Sequence, residues 1–231
     1  SQFWAQDTHR TQCHGTEEGA HLCKTGCRPE YRKTGRRPGD LKKAEADDEK
    51  HLHDIGLFDP VTGDTPSTGG KSFTSQFSSA LVNIAEHRDD VVAITAAMPG
   101  STGLLPFQHR YPERFFDTGI AEQHALTSAA GMARAGLRPF VAIYSTFLAR
   151  GFDQVMYDIG LHRLPVVICI DRAGVTGPDG ASHHGIHDIA MYARVPGMTI
   201  FSPSSLQELP LMMDQALEIE HGPVAVSYTH L

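Results

Sequence analysis

A chain of 231 residues is long enough for one large or two small domains with a real core, and its 40% hydrophobic and 20% charged residues are ordinary for a soluble globular protein. The formal net charge of −7, with no long basic run to offset it, argues against a nucleic-acid partner. No apolar run reaches membrane-spanning length, the polar start Ser1–Gln6 is no secretory signal, and three of the four cysteines crowd the N-terminus, so membrane insertion and a disulfide scaffold are not expected and a cytoplasmic location is the default.

Residues 1–43 are rich in His, Arg, Lys, Gly and Thr and carry almost no aliphatic side chains. Cys13, His14, His21, Cys23 and Cys27 suggest zinc, but their spacing matches no standard ligand pattern and no apolar residues would support a metal. Disorder is the better physical expectation, and no metal ligand is assigned. Residues 44–71 read as a polar connector, with a charged run from Ala44 to Asp54 and turn pairs at Asp59-Pro60 and Gly69-Gly70.

From Ser72 the pattern becomes regular. Phe73, Phe77, Ala80, Leu81 and Ile84 mark one face of a helix that Ser72 can cap. The strand Val91–Thr95 follows, then a Gly/Pro-rich loop from Met98 to Gly103 and a short strand, Phe115–Asp117. A tight glycine turn opens a helix with Glu122 in its first turn, where Ser128, Ala129, Ala130 and Gly131 should allow close packing on a sheet. Next come a strand at Phe140–Tyr144, a helix from about Phe147 to Leu161, and a strand at Val166–Asp171 that buries Cys169. A long Gly/His-rich loop, 172–187, leads to a short helix near 187–193 and a strand around Met198–Phe201. A helix at about Ser205–Ile219 and a strand near Val224 complete the set. Continuously apolar strands alternating with helices predict an α/β fold in three layers, a mostly parallel sheet with helices on both faces.

A glutamate in a first helical turn can simply complement the helix dipole. In a parallel sheet, however, ligands sit beyond the carboxyl ends of the strands. Residues 95–101, 117–122, 144–150 and 171–184 all follow strand ends, so they should gather on one rim. That convergence makes Glu122 a candidate functional carboxylate.

Three runs carry a family resemblance: Gly119-Ile-Ala-Glu-Gln-His-Ala125, Val141-Ala-Ile-Tyr-Ser-Thr-Phe-Leu148 and Asp171-Arg-Ala-Gly-Val-Thr-Gly-Pro-Asp-Gly-Ala-Ser-His183. In this order they resemble the 1-deoxy-D-xylulose 5-phosphate synthases, with the match running from about Ala44 to Val226. Transketolases share the general plan, but the run opening at Asp171 looks more like the synthases. The resemblance implies a thiamine diphosphate-dependent condensation of pyruvate with glyceraldehyde 3-phosphate and loss of carbon dioxide, the opening step of non-mevalonate isoprenoid synthesis. It also implies a homodimer in the complete enzyme. Residues 72–226 would be the domain that holds the thiamine pyrimidine ring.

By the same resemblance Glu122 would hydrogen-bond the pyrimidine, and a buried carboxyl could share a proton there near neutrality. Phe147, Ile120 and Met98 would join it in contacting the cofactor. Tyr144, Arg150, Arg172 and Asp179 match acceptor-binding positions, the arginines being suited to phosphate. His53 and His183 match histidines near the reacting groups, where imidazole can carry protons. The family's Gly-Asp-Gly…Asn motif, which binds Mg2+ and the diphosphate, has no match here, and neither does the C-terminal domain. Residues 1–43 do not resemble the family, and residues 227–231 are expected to be a non-native tail that displaces a family arginine. The 231-residue chain is therefore expected to be inactive by itself.

Overall fold

The computed structural model describes residues 71–176 and 180–228. The expectations for residues 1–43, the connector and the clustered Cys and His residues lie outside the described residues.

Helix α1, Phe73–His87, begins as its sequence predicts. Ser72 is extended, its hydroxyl accepts the Ser75 backbone N–H at 3.1 Å, and the Ser75 hydroxyl accepts the Ser72 N–H at 2.9 Å. This reciprocal cap satisfies two amide donors that the first turn leaves unpaired. Phe73, Phe77, Leu81 and Ile84 then fall on one buried stripe.

Among the described residues six strands follow: β1 (Val91–Thr95), β2 (Phe115–Asp117), β3 (Arg138–Tyr144), β4 (Val167–Asp171), β5 (Thr199–Phe201) and β6 (Val224–Ser227). They form one parallel sheet in the order β2-β1-β3-β4-β6-β5. The register sets Thr95 opposite Asp117 and Tyr144 opposite Asp171, so four strands finish along a common edge. Ser227 pairs with Ile170, and Tyr228 is buried against Phe73 and Phe77, with ring centroids 6.3 and 5.8 Å away.

Alternate residues of each strand serve opposite layers, which is the period-two geometry of a strand. Val91, Ala93, Phe140, Ala142, Val167 and Cys169 face α1, α2 (Leu105–Arg110) and the C-terminal helix Glu208–Glu218. Ile94, Val141, Ile143, Ile168 and Ile170 face α3 (Glu122–Arg134), residues 148–159, and the helix Asp188–Tyr192. The three layers of an α/β fold are thus as expected, and the sheet is parallel throughout. Burial raises the Cys169 thiol far above its ordinary range.

Three local features differ from the sequence expectations. Helix α2 was not predicted: Leu104 provides no side-chain cap, and the segment is held by burial of Leu104 and Phe107. The expected helix from Phe147 to Leu161 is helical without interruption from Ser145 to Gly160, but its hydrogen-bonding pattern changes along the way: α4 (Ser145–Leu148), a 3₁₀ turn at Ala149–Gly151 and a π-helical run at Gln154–Gly160. In α3 the sheet-facing side is Ala125, Ala129, Ala130 and Ala133, while Gly131 is exposed. Helix α3 ends in a Schellman motif, with Leu137 N–H on Met132 O and Gly136 N–H on Ala133 O, and Gly136 supplies the left-handed residue at φ +94°.

Candidate active site

The sheet changes winding direction between β1 and β3. The chain leaves β1 toward β2 on one side and leaves β3 toward β4 on the other. In open parallel sheets this opens a crevice beyond the strand ends. Met98 follows β1, Glu122 follows β2, Tyr144 ends β3, and Arg172 follows β4.

Asp117 organises the near side of this crevice. One of its carboxylate oxygens accepts the Ala97 N–H at 2.7 Å and the Gly119 N–H at 2.9 Å. Ala97 and Gly119 both hold left-handed backbone, at φ +60° and +68°. Glycine takes this at little cost, whereas alanine does not. The Thr118 hydroxyl donates to Thr95 O at 3.2 Å, a second tie between β1 and the turn that opens α3.

Glu122, the first residue of α3, is only 3% exposed. Its Oε1 accepts from Arg150 Nη1 at 3.1 Å. The Arg150 guanidinium also stands over the Phe147 ring, 5.5 Å from its centroid. Phe147 stacks on Tyr144 at 5.8 Å with planes 12° apart, and His183 meets the Phe147 ring edge-on at 5.4 Å. Arg172 covers Tyr144, its Cζ 3.9 Å from the ring centroid, and its Nη1 is 3.5 Å from Ser101 O. One contiguous rim therefore runs from Arg172 through Tyr144 and Phe147 to His183, Arg150 and Glu122.

Of the other residues named from sequence, Met98 is buried in the same layer as Tyr144, and Ile120 is 79% exposed. His53 and Asp179 lie outside the described residues. Sequence reasoning missed Ser145 and Asp188, both buried directly behind this rim. The Ser145 hydroxyl donates to Asp188 at 2.5 Å. Burial pushes the Asp188 carboxyl above its ordinary value, although the hydroxyls of Ser145 and Ser227 oppose that shift.

Residues 70–230 match the family described as transketolase, pyrimidine binding domain. The chain belongs to the transketolase pyrimidine-binding-domain family. Among its relatives, a 1-deoxy-D-xylulose-5-phosphate synthase of Mycolicibacterium paratuberculosis is 52% identical over 185 residues, covering 80% of this chain and 29% of that protein. A synthase of the same name from Mycobacterium tuberculosis is 51% identical over the same shares. The chain thus spans about 29% of the length of the curated relatives it matches.

Among solved structures, a split-gene transketolase described as an inactive β4 tetramer is similar with a TM-score of 0.62 at 33% identity, covering 70% of this chain and 53% of that one. A transketolase from Leishmania mexicana gives 0.63 at 17% identity, covering 73% and 27%, a likeness that bears on the fold. In the pyrimidine-binding-domain family, the donor set here suits an aminopyrimidine: a buried carboxylate that can meet a ring nitrogen, with an aromatic face beside it. The described residues contain no group of three or more His, Cys, Asp or Glu placed to hold a metal ion. None of their helices is long and apolar enough to cross a membrane.

Proposed function

We propose that this chain is the pyrimidine-binding part of a 1-deoxy-D-xylulose 5-phosphate synthase, which joins pyruvate to glyceraldehyde 3-phosphate with loss of carbon dioxide. The observation that carries the reading is the buried Glu122 at the head of α3, linked through Arg150 to the Phe147 ring. Thiamine diphosphate, when bound, supplies a carbon nucleophile that also serves as an electron sink. Glu122 would hold a proton at the pyrimidine ring nitrogen, while Phe147, Met98 and Ile120 would orient the ring. Burial of Glu122 keeps water from competing for that proton.

Arg172 and Arg150, with Tyr144 and Asp179, would bind the phosphorylated acceptor, and His183 and His53 would move protons at the reacting carbonyls. Identity of 51–52% to synthases, against 33% to a split-gene transketolase, favours pyruvate over a ketose as donor. Mg2+ and the diphosphate would be held by a domain preceding residues 72–226, in a cytoplasmic homodimer. Activity of these 231 residues would then require that domain.

Donor choice in the longer gene product tests this reading. Carbon dioxide release from pyruvate should depend on glyceraldehyde 3-phosphate, and a ketose phosphate should not replace pyruvate. Efficient two-carbon transfer from a ketose, without carbon dioxide, would make the enzyme a transketolase instead.

A further inference from the structure

Asp188 opens the helix Asp188–Tyr192 but caps none of that helix's amides with its side chain. Both carboxylate oxygens turn instead to hydroxyls far away in sequence, Ser145 at 2.5 Å and Ser227 at 3.3 Å. Asp188 and Ser145 are 6% and 3% exposed, so this pair is internal. Gly185 lies directly against it. A Cβ on Gly185 would stand 2.0 Å from the Ser145 hydroxyl oxygen, so only glycine lets the loop backbone come this close. Gly174 and Gly185 close the loop with mutual backbone hydrogen bonds of 2.8 Å.

The next two residues of the turn repeat the attachment. The Thr146 hydroxyl donates to Ser182 O at 3.0 Å, and the Phe147 and His183 rings meet in a T-shaped contact with centroids 5.4 Å apart. Residues 145, 146 and 147 are thus each joined to the segment 182–188, and the Ser145–Asp188 bond is the buried member of the three.

We propose that Asp188 is a positioning residue, which through the Ser145 hydroxyl holds the turn carrying Phe147 against the loop carrying His183 and so fixes the histidine ring against the Phe147 ring. Its consequence for catalysis rests on the function proposed above. The clamp itself does not, because it joins groups of this chain alone. A carboxylate suits the task, since its two oxygens can take hydroxyls from two different strand ends, and a buried hydroxyl–carboxylate bond is short and strong.

The test is NMR of the full chain labelled at histidine, with the His183 ring protons identified by His183→Gln. An imidazole held edge-on to a phenyl ring has carbon-bound proton signals displaced from those of free histidine. Asp188→Ala and Ser145→Ala should abolish that displacement while the sheet's cooperative unfolding transition survives. Asp188→Asn keeps an oxygen that can accept the Ser145 proton, so it should retain the displaced signal. Should Asp188→Ala fail to fold, Ser145→Ala, which deletes one oxygen atom, decides the matter. An unmoved His183 signal in Ser145→Ala overturns the clamp, as does a loss in Asp188→Asn as complete as in Asp188→Ala. Thr146→Val removes the outer hydrogen bond; if it alone moves His183, the tie runs through Ser182 and Asp188 has no such role. None of these signals requires cofactor or substrate, so failure of the clamp is read separately from a lack of synthase activity in the longer enzyme.

Discussion

Arg150 joins Glu122 to Phe147: its Nη1 is 3.1 Å from the carboxylate, and its Cζ is 5.5 Å from the ring centroid. The two charges are unequally wet, the Glu122 side chain being 4% exposed and that of Arg150 55%. Removing the arginine strands a buried acceptor, whereas removing the acid leaves a guanidinium that water can reach. Arg150→Ala should therefore cost about 1–3 kcal/mol of unfolding free energy, the range for a buried polar group left without its partner. Glu122→Gln should cost less. Urea unfolding of both variants and the double variant measures their coupling, and strict additivity would mean the pair contributes nothing to stability.

The same glutamate has a separate catalytic prediction. Glu122→Gln in the longer enzyme preserves size and hydrogen bonding but cannot exchange a proton with the pyrimidine ring. Hydrogen–deuterium exchange at C2 of bound thiamine diphosphate should slow by about 100- to 10,000-fold, the usual range for general acid–base catalysis. Exchange at the parent rate would leave Glu122 with a structural role only.

The sequence showed the sheet clearly, because Val91–Thr95 and Val167–Asp171 are buried on both faces and read as unbroken apolar runs. The common rim was legible for the same reason, since strand ends in a parallel sheet share an edge. Helix α2 was hidden: Pro106 and a six-residue length give no period to count, and its cap lacks a side-chain hydrogen bond. The change of helical pattern after Leu148 was hidden too. Gly151 fits against Leu126, where a Cβ would lie 2.2 Å from a methyl group, and that contact is invisible in a local window. Asp188 is an acid in the first turn of its helix, and nothing local marks it, because its partners lie 43 and 39 residues away in sequence.

Ala97 carries strain that glycine would relieve. It is exposed and left-handed at φ +60°, and its N–H is held by Asp117. A left-handed non-glycine residue costs about 1–2 kcal/mol, while glycine adds about 0.4–1 kcal/mol of unfolded-state entropy. Ala97→Gly should thus stabilise the fold by about 0.5–1 kcal/mol on balance of those two terms. Thermal unfolding checks it, and a lower midpoint would show that the Ala97 methyl does more than tolerate its backbone.

Asp188 makes stability depend on pH with a definite sign. Burial raises its folded-state pKa above the unfolded value of about 3.9. The folded state therefore holds more protons in that window, and stability falls as pH rises through the raised value. Asp90 acts oppositely, because the hydrogen-bonded Arg88 guanidinium lowers its pKa and its contribution is lost as pH falls. His187 opposes the Asp188 shift without cancelling it. The stability difference between Asp188→Asn and the parent isolates this one group. It should move in favour of the asparagine as pH rises from 4 toward neutrality, and a flat difference would mean that the carboxyl ionises as easily folded as unfolded.

Arg172 is held in place by its neighbours. Its backbone is left-handed at φ +60°, and its N–H donates to Asp171 Oδ1 at 2.7 Å. Asp171 is fully buried, and its other oxygen accepts the Thr74 hydroxyl at 2.9 Å, which ties the end of β4 to α1. The guanidinium then stands over Tyr144, its Cζ 3.9 Å from the ring centroid. A planar guanidinium on an aromatic face is pre-organised to grip a phosphate, and each charged hydrogen bond contributes about 1.5–3 kcal/mol. Since about 1.4 kcal/mol is tenfold in rate, Arg172→Ala should lower kcat/KM for glyceraldehyde 3-phosphate by at least about tenfold in the longer enzyme. Arg172→Lys should recover only part, because lysine keeps the charge but loses the fork and the stack. Glyceraldehyde without the phosphate is the sharper probe: the variant should react with it nearly as the parent does. Equal losses with both acceptors would show that Arg172 shapes the loop and that the phosphate binds elsewhere.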